Sequence, residues 1–289
     1  MSALPLSRLA LGIGALGFAA LYGPLFPELV RDWSRSEDLS HGFLIPVVSG
    51  WLVWNRRADF RNASGPEWGG VALLAVALLQ YLVGVVAAEF FVQRTSMIPF
   101  LLGWAWILGG RSTFRTLLFP FLFLLFMIPP PALVWSALSF PLQLAASRAT
   151  EGFLTVAGVP AVRMGNVIEL ENCSLEVAAA CSGLRSLSML LGIGALLAEG
   201  SLVPGRAPAR ISLRVLLFLS AIPVAVLVNA ARVSLSALGA ARIGPDAVEG
   251  WLHELSGVGM FALALALLFS WRSMLGWLEA RRFISSPAS

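Results

Sequence analysis

At 289 residues the chain has the length of one or two soluble domains, yet 58% of it is hydrophobic and 12% charged, with a mean hydropathy of +0.82. A soluble domain carries roughly 25% charged residues, so a water-facing surface cannot be built here; the composition predicts an all-α polytopic membrane protein. All 20 basic residues are arginine, which excludes Schiff-base lysine chemistry and a P-loop lysine. In a membrane chain excess arginine sets topology, so the basic balance does not point to nucleic acid.

Spanning the hydrocarbon takes about 20 mostly apolar residues. Apolar runs predict about eight spans in one integral membrane domain over 1–289, at 7–27, 42–55, 69–88, 96–110, 114–129, 181–199, 212–231 and 254–272. The first, with Arg8 ahead of an apolar run to Tyr22, has signal-peptide features. It is read as a retained span, because the run is long and no clear A-x-A site ends it. The Pro129-Pro130-Pro131 turn breaks the chain after the fifth. The stretch 130–180 is read as extracytoplasmic or re-entrant, because Pro141, Arg148 and Glu151 interrupt 132–160. Within it Val167–Glu171 and Ser174–Val177 alternate about a turn at Asn172, a small β-hairpin or else an irregular loop ahead of the sixth span. The repeat of Leu-Gly-Ile-Gly-Ala-Leu at 11–16 and 191–196 is treated as coincidence.

Arginines gather between alternate spans: Arg8; Arg56, Arg57 and Arg61; Arg111 and Arg115; Arg206, Arg210 and Arg214; and Arg272, Arg281 and Arg282. With Asp59, Glu67, Glu199 and Glu279 that face carries a net +8, and the opposite face −4, consistent with the overall +4. The positive-inside rule makes the first face cytoplasmic, with both termini inside.

This topology brings Cys181, Arg232, His253 and His41 to one membrane depth, at the outer ends of the sixth, seventh, eighth and second spans. Cys181 begins Cys-Ser-Gly-Leu-Arg at a predicted helix N-terminus, where the dipole favours an anion. The N–H groups of Ser182 and Gly183 are candidate oxyanion donors there. Arg185 follows four residues on, one predicted helical turn along the same face. The alternatives for Cys181 are a packed thiol or a disulfide with Cys173. Arg232 ends Asn229-Ala-Ala-Arg, where an arginine commonly snorkels; Asn229 shares its face and is expected to hold it inward. His253 is the leading general acid/base, and His41, with Asp38 three residues earlier, competes with it. Glu89, Arg94, Arg148 and Glu151 read as a polar rim, the ten tryptophans as interfacial belts. Gly192 and Gly194 are weak helix-pairing signals that leave oligomeric state open. Two cysteines and two histidines leave no room for a multi-ligand metal site, and no cofactor is expected.

Four stretches resemble the exosortase/archaeosortase family of membrane transpeptidases, and most nearly its bacterial exosortase branch. They are Ser40-His41-Gly42-Phe43-Leu44-Ile45-Pro46, Glu176 to Ser186 around Cys181, Asn229-Ala-Ala-Arg232-Val233, and His253-Glu-Leu-Ser-Gly257. The similarity covers about residues 20–270. Two features depart from the family's pattern: Ala179 stands where members often carry an acidic residue, and Cys173 lies outside the motif. The resemblance implies Cys181 as nucleophile, Arg232 as catalytic arginine and His253 as the third member. It implies a thiol protease of the bacterial inner membrane, facing outward. Its substrates would be exported proteins whose C-terminal tail holds a Pro-Glu-Pro-like motif, a transmembrane helix and a basic cluster. Cleavage would pass through an acyl-thioester to an unidentified cell-surface acceptor. The competing readings are a transporter or lipid flippase, a component of an exopolysaccharide-export machine, and a membrane acyltransferase with a lipid donor.

Overall fold

In hydrocarbon the backbone must satisfy its own hydrogen bonds, so long apolar runs that cross it open become helices. The computed structural model describes residues 4–58, 67–178, 181–202, 210–244 and 251–284, and side chains only between 11 and 279, those of 251–254 excepted. Arg61, Asp59, Ala179 and Arg206 lie outside the described residues, as do the side chains of Arg8, His253, Glu254, Arg281 and Arg282. The chain is a multi-pass, mainly helical membrane protein, but the predicted eight spans need correction. Among the described residues five stretches are long and apolar enough to cross: Leu11–Arg35, Trp68–Val86, Phe90–Met127, Ile211–Ile243 and Leu255–Glu279.

The physical reasons differ from place to place. The expected span at 42–55 is α3, Leu44–Asn55, whose 12 residues rise only about 18 Å. The one at 181–199 is α8, Leu184–Glu199, with 16 residues and roughly 24 Å. Both fall short of the ~30 Å hydrocarbon core. The runs at 96–110 and 114–129 are not separated by a loop. They meet at Gly110 (φ 70°, ψ −170°) inside α6, Met97–Phe123, as two arms that fall within the one stretch Phe90–Met127 counted above.

Two compact units make up the chain, Met1–Pro131 and Ala132–Ser289. In the first, α1 (Leu4–Tyr22) and the amphipathic α2 (Phe26–Arg35) precede α3. The helices α4 (Trp68–Val86), α5 (Phe90–Thr95) and α6 follow. Buried Arg94 donates to Asp32 at 2.8 Å, and Trp33 Nε1 donates to the Met127 carbonyl at 2.8 Å. Neighbouring residues of α2 thus hold both ends of the stretch from Arg94 to Met127, which a straight helix would separate by roughly 50 Å. The stretch is therefore a hairpin folded at Gly110, whose positive φ suits a residue without Cβ. Glu67 pins the fold, accepting from Trp106 Nε1 at 2.9 Å and from the Arg111 amide at 3.1 Å. Along the first arm α4 packs backbone to backbone: a Cβ on Gly103 would lie 2.8 Å from the Leu74 nitrogen. Small residues permit such approaches, which drive helix association in lipid.

The second unit opens with α7, Ala132–Val156, one continuous helix of 25 residues where a surface or re-entrant pair of helices was expected. Pro141 lies on its exposed face, while a buried stripe of Ser139, Gln143, Ser147 and Thr150 turns inward. Thr150 and Ser234 share a hydrogen bond of 3.1 Å, and Ser147 donates to the Gly165 carbonyl at 2.9 Å, so the polar groups are satisfied by neighbours. The β-hairpin forms, and an unpredicted strand joins it. Strands β1 (Ala161–Met164), β2 (Val167–Leu170) and β3 (Ser174–Glu176) make an antiparallel sheet in that order. Ile168 and Leu170 point inward and Glu169 outward, the period-2 pattern of a half-buried strand. They pack with Ala146 and Leu154 of α7 and with Ala237 and Ala240 of α9, Ile211–Ile243. A second core joins α8, α9 and α10 (Trp251–Ile284) through Leu190, Leu197, Leu217, Ala225, Ala264 and Leu268.

Candidate active site

Every described side chain of the candidate site except that of His41 belongs to the second unit. Cys181 is not on α8 but ahead of it. Its amide donates to the Ala178 carbonyl at 2.8 Å, closing a tight turn. Gly183 then takes a left-handed conformation (φ 82°) as the N-cap, and the helix begins at Leu184. Cys181 and Arg185 are therefore not one helical turn apart on a shared face; Arg185 is exposed, while Cys181 is half-buried. Ser182 is buried and its Oγ accepts weakly from the Leu184 amide, 3.4 Å away. The Gly183 carbonyl accepts from Ser186 Oγ at 2.9 Å and from the Leu187 amide at 2.9 Å, which starts the hydrogen-bond ladder of α8.

Asn229 holds this turn from α9. Its Nδ2 donates to the Cys181 carbonyl at 2.8 Å, and the residue is only 5% exposed. Gly183 lies against the same amide: a Cβ there would sit 2.7 Å from Asn229 Cγ. Asn229 thus binds the cysteine's own backbone, a contact that its spacing to Arg232 does not reveal. Gly183→Ala is thus expected to cost about 1–3 kcal/mol, from a left-handed backbone and a clash together. The thermal midpoint of the detergent-solubilised protein reads this cost. An unchanged midpoint would show that the turn is not built as described.

Arg232 lies three residues beyond Asn229, close to one turn of α9, and is half-buried. Both border a small, open cleft among α8, α9 and α10. Ser186, Asn229 and Arg232 give it a polar side; Leu190, Val228, Met260 and Phe261 give it apolar walls. Gly257 of α10 borders it as well, and nothing lies within 4 Å of the Cβ it lacks. His253 falls one helical turn before Gly257 on the backbone of α10; its side chain is outside the described residues. Sequence reasoning missed Ser186, Met260 and Phe261. The spacing 253, 257, 260, 264 on one helix was the available signal.

Cys181 does not border the cleft; it packs beside the α7–sheet–α9 cluster, as does Cys173. Both thiols are free. Asn172 donates to the Ala240 carbonyl at 3.0 Å, while the Cys181 carbonyl is bound at Asn229. The structure therefore holds the two cysteines unpaired, each beside its own anchor to α9. Among the described residues no group of three or more His, Cys, Asp or Glu gathers to hold a metal.

His41 lies in the first unit, within a 3-10 turn over Glu37–Phe43. The neighbouring Gly42 is buried against the Trp33 indole, which would overlap any Cβ there. Part of the Ser-His-Gly motif is thereby accounted for by packing.

The family model described as transmembrane exosortase (Exosortase_EpsH) matches residues 33–270, a stretch that holds His41, Cys181, Asn229, Arg232 and His253. No curated protein and no solved structure matches the chain.

Proposed function

The chain belongs to the transmembrane exosortase family, and from that premise we propose that it is a cysteine transpeptidase that trims exported proteins at a C-terminal sorting tail. The observation that carries this reading is the tether between the Cys181 turn and α9, one turn from Arg232. It joins a thiol, an amide-lined turn and a guanidinium in one part of one unit. That combination suits attack on a carbonyl.

The reaction runs in two halves. The Cys181 thiolate adds to the scissile carbonyl, and the oxyanion is held by Arg232 with backbone N–H donors of the turn. The tetrahedral adduct expels the tail's amine, which takes a proton from His253, leaving the upstream protein as a thioester on Cys181. A nucleophile on the acceptor then gives its proton to His253, adds to the thioester and expels Cys181 as the thiolate, which restores the starting thiolate and protonated histidine. Supporting roles fall to Ser182, Gly183, Arg185 and Asn229, with His41 as the rival base. No cofactor enters any step.

In this reading Cys181 faces the outer side of the bacterial inner membrane, as the family resemblance implies, and the arginine-rich segments favour the opposite face. A substrate anchored by one helix with a basic cytoplasmic end would meet the site on that outer side. Its partners are such tail-bearing proteins, the surface acceptor and membrane lipid.

The test compares C-termini of exported proteins by mass spectrometry between cells that carry the chain and cells that lack it. Tails are expected to be missing only where the chain is present, with the mass added at the new C-terminus identifying the acceptor. Added water alone would make the enzyme a protease without transfer. Identical C-termini in both would remove the reading and favour transport or polysaccharide export.

A further inference from the structure

The bond from Asn229 fixes more than one atom. The carbonyl of Cys181 and the N–H of Ser182 belong to a single planar peptide, and no peptide among the described residues is cis. In a trans peptide the two groups point in opposite directions. Once Asn229 Nδ2 draws the Cys181 oxygen toward α9 at 2.8 Å, the Ser182 N–H is aimed away from α9. Gly183 lies close against the same amide: a Cβ there would sit 2.7 Å from Asn229 Cγ. We propose that Asn229 is a positioning residue that fixes the direction of the Ser182 N–H, as an oxyanion donor, by holding the Cys181 carbonyl. This rests on Cys181 being the nucleophile of the reaction proposed above.

Two features support this assignment. The amide is buried, so its hydrogen bond is not exchanged for water at no cost. Its partner is the backbone of the proposed nucleophile itself. A residue that only filled space could be replaced by one of equal shape. Aspartate has the shape of asparagine but, as a carboxylate, no donor for the carbonyl.

The experiment uses the full-length protein in cells, with Asn229→Asp and Asn229→Ala beside wild type and Cys181→Ala. Two rates are read: trimming of a tail-bearing exported protein by pulse–chase, and alkylation of Cys181 by iodoacetamide, resolved by peptide mass. Alkylation is displacement at carbon and forms no oxyanion, whereas peptide cleavage does. With Asn229→Asp, trimming is expected to fall by about 10²-fold or more, the scale of losing one oxyanion donor, while alkylation stays within about threefold of wild type. Asn229→Ala should behave alike. Trimming at the wild-type rate in Asn229→Asp overturns the proposal. So does a parallel fall in alkylation, which would make Asn229 a plain structural prop of the turn. If Cys181→Ala still trims, the proposed reaction itself falls and takes this inference with it. Loss in Cys181→Ala with full activity in Asn229→Asp removes the inference alone.

Discussion

Cells carrying Cys181→Ala in place of the wild-type chain are expected to export tail-bearing proteins with every tail intact. The proposed mechanism stores the upstream protein as a thioester, so no other side chain can substitute for the sulfur. Removing the nucleophile of a covalent mechanism costs on the order of 10⁶ in turnover. Folding should survive, because the thiol is half-buried beside the α7–sheet–α9 cluster and its loss opens no enclosed core volume. Cys181→Ser is expected to be nearly as inactive. An alcohol needs a base within hydrogen-bonding reach to become a nucleophile, whereas a thiol ionises far more readily. Immunoblotting for the chain, with mass spectrometry of the exported C-termini, checks both points. Normal trimming in a well-expressed Cys181→Ala strain would make the cysteine a packing residue.

The candidate site residues were readable in the sequence because they are rare. A chain with two cysteines, two histidines and few charges makes each polar group near a span end conspicuous. Their connections were not readable. Asn229 and Arg232 are three residues apart, and helical spacing alone makes them neighbours; whether the amide turns toward the arginine or across to another segment depends on what faces α9. The Cys181 turn faces it. Nor does hydropathy reveal that Gly183 adopts φ 82° and so delays the start of α8. That one backbone angle removes the expected pairing of Cys181 with Arg185.

The span count failed for a related reason. Apolar length gives reach but not continuity: the runs on either side of Gly110 meet without a loop, because one glycine makes the reversal and Glu67 caps it from α4's start. In 132–156 the same composition argument erred in the other direction. Arg148 and Pro141 both face outward on one helix, and Glu151 pairs with Arg163 of β1 at 3.3 Å. The strand that supplies Arg163 left one legible signal, the Gly165-Asn166 pair after it, and Gly165 has the positive φ of a tight hairpin turn.

Of the two histidines, His253 is expected to be the one whose loss stops turnover. Its backbone lies one turn before Gly257, and Gly257 borders the cleft that Arg232 borders. In the proposed reaction the acid/base serves both the leaving amine and the incoming acceptor, and such a group contributes typically 10²–10⁴-fold. His41 has a different setting: its turn is ordered by Gly42 against Trp33, and Trp33 is tied to the Met127 carbonyl. His41→Ala is therefore expected to perturb that packing and leave the chemical step near its wild-type rate. His253→Ala is expected to slow trimming by at least about 10², with partial recovery when imidazole is supplied, since a small diffusible base can restore proton transfer but not packing. Pulse–chase of the exported substrate with and without imidazole separates the two. Recovery by imidazole in His41→Ala, with none in His253→Ala, would transfer the acid/base role to the Ser40-His41-Gly42 turn.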